Sequence, residues 1–136
     1  MQIIELTETG GQRRFPIVIG LPEAFAIDRR IKGVQIPRPQ THDLLANVVR
    51  AMGGKLQEIR ITHVDGGTFY AQLVIQLNGE ELLVDSRPSD AIALGVADNV
   101  PILVEEDVLE QAAAEAAASP EGTPDIQLDD EDEDDA

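Results

Sequence analysis

Residues 68–84 decide the fold, because they combine alternating hydrophobicity with the signal of a tight turn; they read Thr-Phe-Tyr-Ala-Gln-Leu-Val-Ile-Gln-Leu-Asn-Gly-Glu-Glu-Leu-Leu-Val. Between residues 69 and 77 every second residue is apolar, which predicts a strand with one buried face. Asn78-Gly79 is typical of a two-residue hairpin turn, and residues 81–85 then form the return strand. Together with a strand that ends at the turn Asp65-Gly66-Gly67, these segments predict a three-stranded antiparallel meander.

The rest of the chain predicts a second, smaller β-element and several helices. Residues 3–6 and 15–19 flank a glycine pair and favour an N-terminal hairpin. Thr41 is a predicted helix N-cap, and residues 101–104 predict a short buried strand. Helix start and stop signals predict helices over about residues 20–31, 41–52, 86–97 and 107–118. The fold class is therefore α+β, with mixed or antiparallel sheets built from a hairpin and a three-strand meander, and three to four packed helices.

Two further patterns concern the helices. Residues 17–27 and 83–94 both read as strand, tight turn and helix with a proline at the helix start. The two interpretations are an internal strand-turn-helix duplication and two independent uses of one favourable helix start. The second helix carries an apolar stripe: Leu44, Leu45, Val48, Val49 and Met52.

The charge is concentrated at the C-terminus. The chain has 26 acidic and 10 basic residues, for a net charge of −16. Residues 1–104 hold 12 of the acids and all the bases, whereas residues 105–136 hold 14 acids and no base. We therefore predict a folded domain over residues 1–110, an Ala-rich helix end over 111–118 and a disordered acidic tail over 119–136. The nearly neutral domain does not exclude a nucleic-acid partner, whereas the total charge alone would argue against one.

Composition excludes several kinds of site. Without cysteine the chain has no disulfide, thiolate zinc site or cysteine nucleophile, and His42 and His63 are its only imidazoles. No apolar run is long enough for a membrane span, and the N-terminus lacks the pattern of a signal peptide. These features predict a cytoplasmic protein with no membrane partner.

Two predicted helix starts, residues 38–43 and 85–90, concentrate the polar side chains that could do chemistry. Each combines an arginine, a hydroxyl group and a carboxylate with backbone N–H groups that lack intrahelical partners, a combination that can hold a phosphate. His42 could transfer protons, and paired carboxylates could bind a divalent cation. The candidate catalytic residues are His42, Asp43, Asp85 and Asp90; the candidate phosphate-binding residues are Arg38, Thr41, Arg87 and Ser89; the candidate metal ligands are Asp43, Asp85 and Asp90.

A purely structural interpretation fits the same residues. Thr41, Asp43, Ser86, Ser89 and Asp90 are residue types that cap helices for stability alone. The arginines of the two segments could pair with the acids as structural ion pairs. The residues alone leave both interpretations open.

These segments resemble the bifunctional nuclease family. The strings that carry the resemblance are Arg38-Pro39-Gln40-Thr41-His42-Asp43-Leu44, Gly67-Thr68-Phe69-Tyr70-Ala71, Asp85-Ser86-Arg87-Pro88-Ser89-Asp90-Ala91-Ile92-Ala93-Leu94 and Pro101-Ile102-Leu103-Val104. The resemblance covers roughly residues 1–110. It implies an α+β domain that forms a homo-oligomer, with a dimer favoured, and that acts on DNA and RNA.

The resemblance therefore favours a nuclease that hydrolyses phosphodiester bonds, with Mg²⁺ or Mn²⁺ as a candidate cofactor. Two alternatives stay open: a non-catalytic oligomeric interaction or regulatory domain, and a nucleotide or phosphate sensor. For the acidic tail, the hypothesis is competition with nucleic acid for the basic residues between Arg13 and Arg38; the alternative is a solubilising role.

Overall fold

The structure, a computed structural model, describes residues 1–118, and the predicted acidic tail lies outside the described residues. In chain order its elements are β1 (Gln2–Thr7), β2 (Arg14–Ile19), α1 (Leu21–Lys32), α2 (Thr41–Ala51), β3 (Lys55–Asp65), β4 (Thr68–Leu77), β5 (Glu80–Ser86), α3 (Pro88–Gly95), a 3₁₀ turn (Val96–Asp98), β6 (Ile102–Val104) and α4 (Glu106–Ala118). They form two compact units: a central unit, residues 21–105, and a terminal unit made of residues 1–20 and the chain from Glu106.

The terminal unit consists of the predicted hairpin and the last helix. β1 and β2 pair antiparallel, and Phe15, Ile17 and Ile19 on β2 are buried. α4 packs against β2 through its own buried apolar face. Arg13 connects the hairpin to α4, because its guanidinium donates to Glu8 (2.8 Å) and to Glu106 (2.7 Å).

The central unit is built on a four-stranded sheet in the order β5-β4-β3-β6. β3, β4 and β5 form the predicted antiparallel meander, and β6 pairs parallel to β3, so the sheet is mixed. Both hairpin turns have positive φ at their two central residues, Gly66 and Gly67 in one and Asn78 and Gly79 in the other. That geometry matches the twist of the strands, which is why these residues predict it. The α+β prediction is confirmed.

Helix α3 forms the centre of the core. Every residue of α3 except Asp90 is buried, and the helix packs on β3 and β4. The main cluster joins α2, α3 and the sheet through Ala46, Ile59, Leu73, Ile75, Ala91 and Leu94. A Cβ atom on Gly95 would lie 2.9 Å from Val100 and 3.1 Å from Ile59, so the close approach of α3 to these residues requires glycine.

Three local predictions are corrected. Gln40, not Thr41, is the N-cap of α2, because the Asp43 carboxylate accepts the Gln40 backbone N–H at 3.0 Å and starts the helix one residue earlier. α3 ends at Gly95 and continues only as a 3₁₀ turn, which closes at Asn99 in the left-handed region. The strand β6 is half-buried with Leu103 exposed, because it lies at the edge of the sheet. The apolar stripe of α2, whose burial the sequence did not predict, has four exposed members: Leu44, Leu45, Val48 and Met52.

The remaining predictions about organisation are not decided by the fold. β2 followed by α1 and β5 followed by α3 both have the strand-then-helix order of the suggested duplication, which stays a prediction. The domain boundary at residue 110 also stays a prediction. Within residues 1–118, no helix combines the length and the hydropathy that a membrane crossing requires.

Candidate active site

His42 and Asp90 form a hydrogen-bonded pair that joins the two predicted helix starts. His42 is the second residue of α2 and Asp90 the third residue of α3. The Nε2 atom of His42 lies 2.9 Å from Oδ1 of Asp90, and the two side chains are 15% and 34% exposed. The two segments, which are far apart in sequence, therefore converge at a partly solvent-accessible position.

The protonation of this pair follows from the surroundings of Asp90. Burial acts to raise the pKa of Asp90, but the hydrogen bonds from His42 and Arg87 outweigh it and hold the pKa below its usual range. An ionised carboxylate only accepts hydrogen bonds, so the His42 Nε2–H donates to Asp90. The Nδ1 atom of a neutral His42 then carries the lone pair, and no hydrogen bond to Nδ1 is made by residues 1–118. His42 is thus oriented to accept a proton at Nδ1.

Arg87 extends the pair toward solvent. Its Nε and Nη2 atoms lie 2.9 Å from Oδ2 of Asp90, and Nη2 also donates to Glu23 at 3.0 Å. The bond to Asp90 and then the bond to Glu23 raise the pKa of Arg87, so it stays charged. The Arg87 side chain is 65% exposed, and within the described part of the chain its Nη1 atom has no partner. A guanidinium fixed in this way can still present donors to a phosphate.

Asp43, next to His42, is held by two arginines of α1. Arg29 donates to Asp43 at 2.8 and 3.4 Å, and Arg30 donates to it at 2.6 Å. Burial raises the pKa of Asp43, but the Gln40 N–H, Arg29 and Arg30 together lower it to about 2. A carboxylate with these partners stays ionised at neutral pH, so Asp43 is poorly suited to accept protons.

The other candidate residues lie in different surroundings. Asp85 lies on β5 opposite Gln72, is exposed, and makes no ion pair with residues 1–118. Arg38 and Thr41 are exposed, and Arg38 has no ion-pair partner within the described residues. Ser89 is only 6% exposed, so a polymeric substrate would reach its hydroxyl group only after a local rearrangement.

The three candidate metal ligands do not form one group. Among residues 1–118, no three His, Asp or Glu side chains are arranged so that they could hold a metal ion together. The carboxylate of Asp43 is paired with Arg29 and Arg30, and the carboxylate of Asp90 is paired with His42 and Arg87. These residues therefore do not fit a three-carboxylate centre. Dependence on Mg²⁺ or Mn²⁺ stays a prediction.

Three residues of this network were not predicted from sequence: Glu23, Arg29 and Arg30. Arg30 also donates to the carbonyl oxygens of Ala93 (2.7 Å) and Leu94 (2.9 Å) in α3. The available signal was the adjacent arginine pair in the last turn of α1, within the basic stretch of the sequence. Such a pair is more often explained by the helix dipole, which favours cations at a helix C-terminus.

Comparison with known proteins identifies the family. The model of the bifunctional nuclease domain matches residues 4–117. An uncharacterised protein of Mycobacterium tuberculosis is 46% identical over 110 residues, which is 81% of this chain and 65% of that protein. Bifunctional nuclease 1 of Arabidopsis thaliana is 30% identical, and bifunctional nuclease 1 of Oryza sativa subsp. japonica is 27% identical, each over 105 residues, 75% of this chain and 32% of the plant protein. The chain thus spans about two thirds of the mycobacterial relative and about a third of the plant relatives. Since the family model covers most of the chain, this protein belongs to the bifunctional nuclease family.

Proposed function

We propose that this protein is a nuclease that hydrolyses phosphodiester bonds in DNA and RNA, with His42 as general base and Asp90 as the residue that orients it. The observation that carries the proposal is the 2.9 Å hydrogen bond between His42 Nε2 and Asp90 Oδ1. Membership of the bifunctional nuclease family supports the substrate class, because the plant relatives bear that name.

The proposed reaction uses the free nitrogen of His42. A water molecule transfers a proton to Nδ1 as its oxygen attacks phosphorus, and the P–O bond to the leaving nucleotide breaks. Asp90 stabilises the imidazolium that forms, as a carboxylate does for the histidine of a hydrolase triad. Arg87, through Nη1, stabilises the charge on the phosphoryl oxygens. The leaving oxygen takes up a proton from His42 or from solvent.

Substrate binding requires cationic side chains that are not already paired with carboxylates of the protein. In the network around His42, three arginines (29, 30 and 87) face three carboxylates (23, 43 and 90), so their charges balance. Arg38 has no carboxylate partner within residues 1–118 and lies just before α2. We assign Arg38 to phosphate binding, with the exposed hydroxyl group of Thr41 as a second donor.

The histidines provide a matched test of this proposal. His42→Gln removes the base, whereas His63→Gln changes a histidine on β3 whose ring lies 5.4 Å from that of Tyr70. The assay uses highly purified protein with single-stranded RNA and DNA, in EDTA and in Mg²⁺ or Mn²⁺. We expect His42→Gln to lower kcat by about 10²-fold or more, the usual contribution of a general base, and His63→Gln to leave it unchanged. If His42→Gln cleaves as well as wild type, the activity belongs to another site or to a contaminant.

A second candidate is the oligomeric interaction domain, and the exposed face of α2 favours it. Leu44, Leu45, Val48 and Met52 form an apolar stripe on the outer side of that helix. A monomer rarely exposes a contiguous apolar surface of this kind without a partner. The family resemblance to self-associating domains makes a second copy of this chain the proposed partner. This role is compatible with catalysis, and becomes the main function if the wild-type protein does not cleave nucleic acid.

A further inference from the structure

Among the described residues, the Asp43 carboxylate is one of the side chains that accept the most hydrogen bonds. It accepts hydrogen bonds from Arg29, from Arg30 and from the Gln40 backbone N–H. The side chains of Arg29, Arg30 and Asp43 are 15%, 9% and 16% exposed. Removing one member of such a set leaves a partly buried charge without one of its partners, so these contacts constrain the first turn of α2.

Arg30 connects this carboxylate to a third helix. Its Nη1 donates to Asp43 in the first turn of α2, while its Nε and Nη2 donate to the carbonyl oxygens of Ala93 and Leu94. Those carbonyls lie near the C-terminal end of α3. One guanidinium on α1 therefore links the first turn of α2 to the C-terminal end of α3, in addition to the direct packing of the two helices through Ala46, Ala91 and Leu94.

The same two helices carry the reacting pair. His42 adjoins Asp43 in the first turn of α2, and Asp90 lies in the first turn of α3. The His42–Asp90 distance thus depends on how α2 and α3 are held, and the Arg30 bridge is the polar contact that contributes to this at the first turn of α2. A misplacement of about 1 Å at a catalytic group can lower a rate by about 10²-fold.

We propose that Asp43, Arg29 and Arg30 are positioning residues. They hold the His42 side chain where its Nε2–H donates to Asp90. This inference rests on the proposed function, and it replaces the catalytic and metal-binding roles predicted for Asp43. Asp43 acts through its neighbour His42 and touches neither substrate nor metal.

The test substitutes Asp43 and measures the tautomer of His42 directly. In uniformly ¹⁵N-labelled full-length protein, the ring nitrogen shifts of His42 report its tautomer, and His63 is the reference in the same spectrum. We expect a single Nε2–H tautomer in wild type and a mixture in Asp43→Asn. With RNA as substrate, we expect Asp43→Asn to lower kcat by about 10²-fold, as a misplaced base would. KM should change by less than about threefold, because this proposal assigns no substrate contact to Asp43.

Asp98→Asn is the matched control. Asp98 is exposed and lies 3.9 Å from Arg50 in the same unit, so its loss should change neither the tautomer nor kcat. If Asp43→Asn does not fold, Arg29→Lys provides the test, since it keeps the charge and leaves Arg30 in place. We expect Arg29→Lys to give a smaller change in both readouts.

Two outcomes separate the two proposals. A folded Asp43→Asn or Arg29→Lys variant with lower melting temperature but wild-type tautomer and kcat shows that the contacts are only structural, and overturns the positioning role. If wild type does not cleave, or His42→Gln cleaves normally, the nuclease proposal fails. The tautomer measurement still decides whether Asp43 positions His42.

Discussion

At the scale of single residues, the role of each carboxylate depends on the donors around it. Asp43, Asp85 and Asp90 are equivalent as sequence candidates, but the structure gives them three different surroundings. Asp43 is held by two arginines, Asp90 is shared by His42 and Arg87, and Asp85 is exposed on β5. Only Asp90 combines a histidine partner with solvent access, and this is why we assign the orienting role to it.

The lowered pKa of Asp43 predicts acid-sensitive stability. Its pKa is about 2 in the folded protein, below the ordinary aspartate value of 3.8, so the folded state binds the proton more weakly than the unfolded chain. The stabilisation is fully present above about pH 4 to 5 and is lost as the pH falls through 3.8 toward 2. Its full size is about 2.5 kcal/mol, at about 1.4 kcal/mol for each pKa unit, and part of it remains at pH 2.5.

Chemical denaturation of wild type and Asp43→Asn at pH 6, pH 4 and pH 2.5 checks this prediction. We expect the difference in unfolding free energy between the two proteins to shrink by about 2 kcal/mol across that range. Asp98→Asn, with an exposed carboxylate, should show little change. A difference that is independent of pH would mean that the arginines do not stabilise the ionised form of Asp43.

Sequence separation explains which site contacts could be predicted. Arg87 and Asp90 lie three residues apart at one helix start, so an ion pair between them can be predicted from the sequence. The structure contains this ion pair. The Arg29–Asp43 and His42–Asp90 contacts join residues 14 and 48 positions apart. Such contacts depend on how helices pack, and local sequence patterns do not specify packing.

At the scale of secondary structure, the residue types in the turns predict the structure more specifically than the hydrophobic pattern does. Asn78-Gly79 and Gly66-Gly67 predict their hairpins because few other residues accept positive φ at both positions. The apolar stripe of α2 shows only that one side of the helix is apolar. It does not show whether the domain's own core or a partner covers that side, and the structure leaves most of it exposed.

Gly95 provides a prediction about how α3 packs. In most helices Gly→Ala is stabilising by up to about 1 kcal/mol. Here the new Cβ would lie 2.9 Å from Cβ of Val100, an atom bonded directly to the backbone, so neighbouring backbone must move. We expect Gly95→Ala to destabilise the protein by about 1–3 kcal/mol, the usual cost of overpacking, measured by urea denaturation.

Gly11→Ala is the comparison for this measurement. There the new Cβ would meet the carboxylate end of the Glu8 side chain, so only a partly exposed ion pair with Arg13 would be disturbed and no backbone would have to move. We expect a smaller effect, within about 1 kcal/mol, the usual value of such an ion pair. Equal effects at Gly11 and Gly95 would contradict the argument that the contact with Val100 makes Gly95 necessary.

At the scale of the whole molecule, the α2 stripe is the feature most directly connected to assembly. It begins two residues after His42, so a second copy bound there would lie close to the proposed active site. An oligomer that uses this face would also explain why four large apolar side chains on one short helix stay exposed in a single chain.

Val48→Glu tests this surface. A charge in the middle of an apolar contact is strongly unfavourable, so we expect a wild-type dimer to become a monomer, measured by light scattering coupled to size-exclusion chromatography. Val34→Glu, at an exposed apolar residue that follows α1, should leave the dimer intact. A wild-type monomer, or a dimer that persists in Val48→Glu, would assign assembly to another surface.

The balance of three arginines and three carboxylates around His42 has a consequence for counterion release. A nuclease with a basic groove displaces many condensed cations from its substrate, so its affinity falls steeply as salt increases. Around His42 the charges of Arg29, Arg30 and Arg87 are already balanced within the protein, and Arg38 and Nη1 of Arg87 are the two groups that we assign to phosphate. Each phosphate neutralised on a single strand contributes about −0.7 to the slope of log K against log salt. Two such contacts would give a slope of about −1.4, so the affinity should fall only about fivefold for a threefold increase in salt, whereas eight contacts would lower it several-hundred-fold.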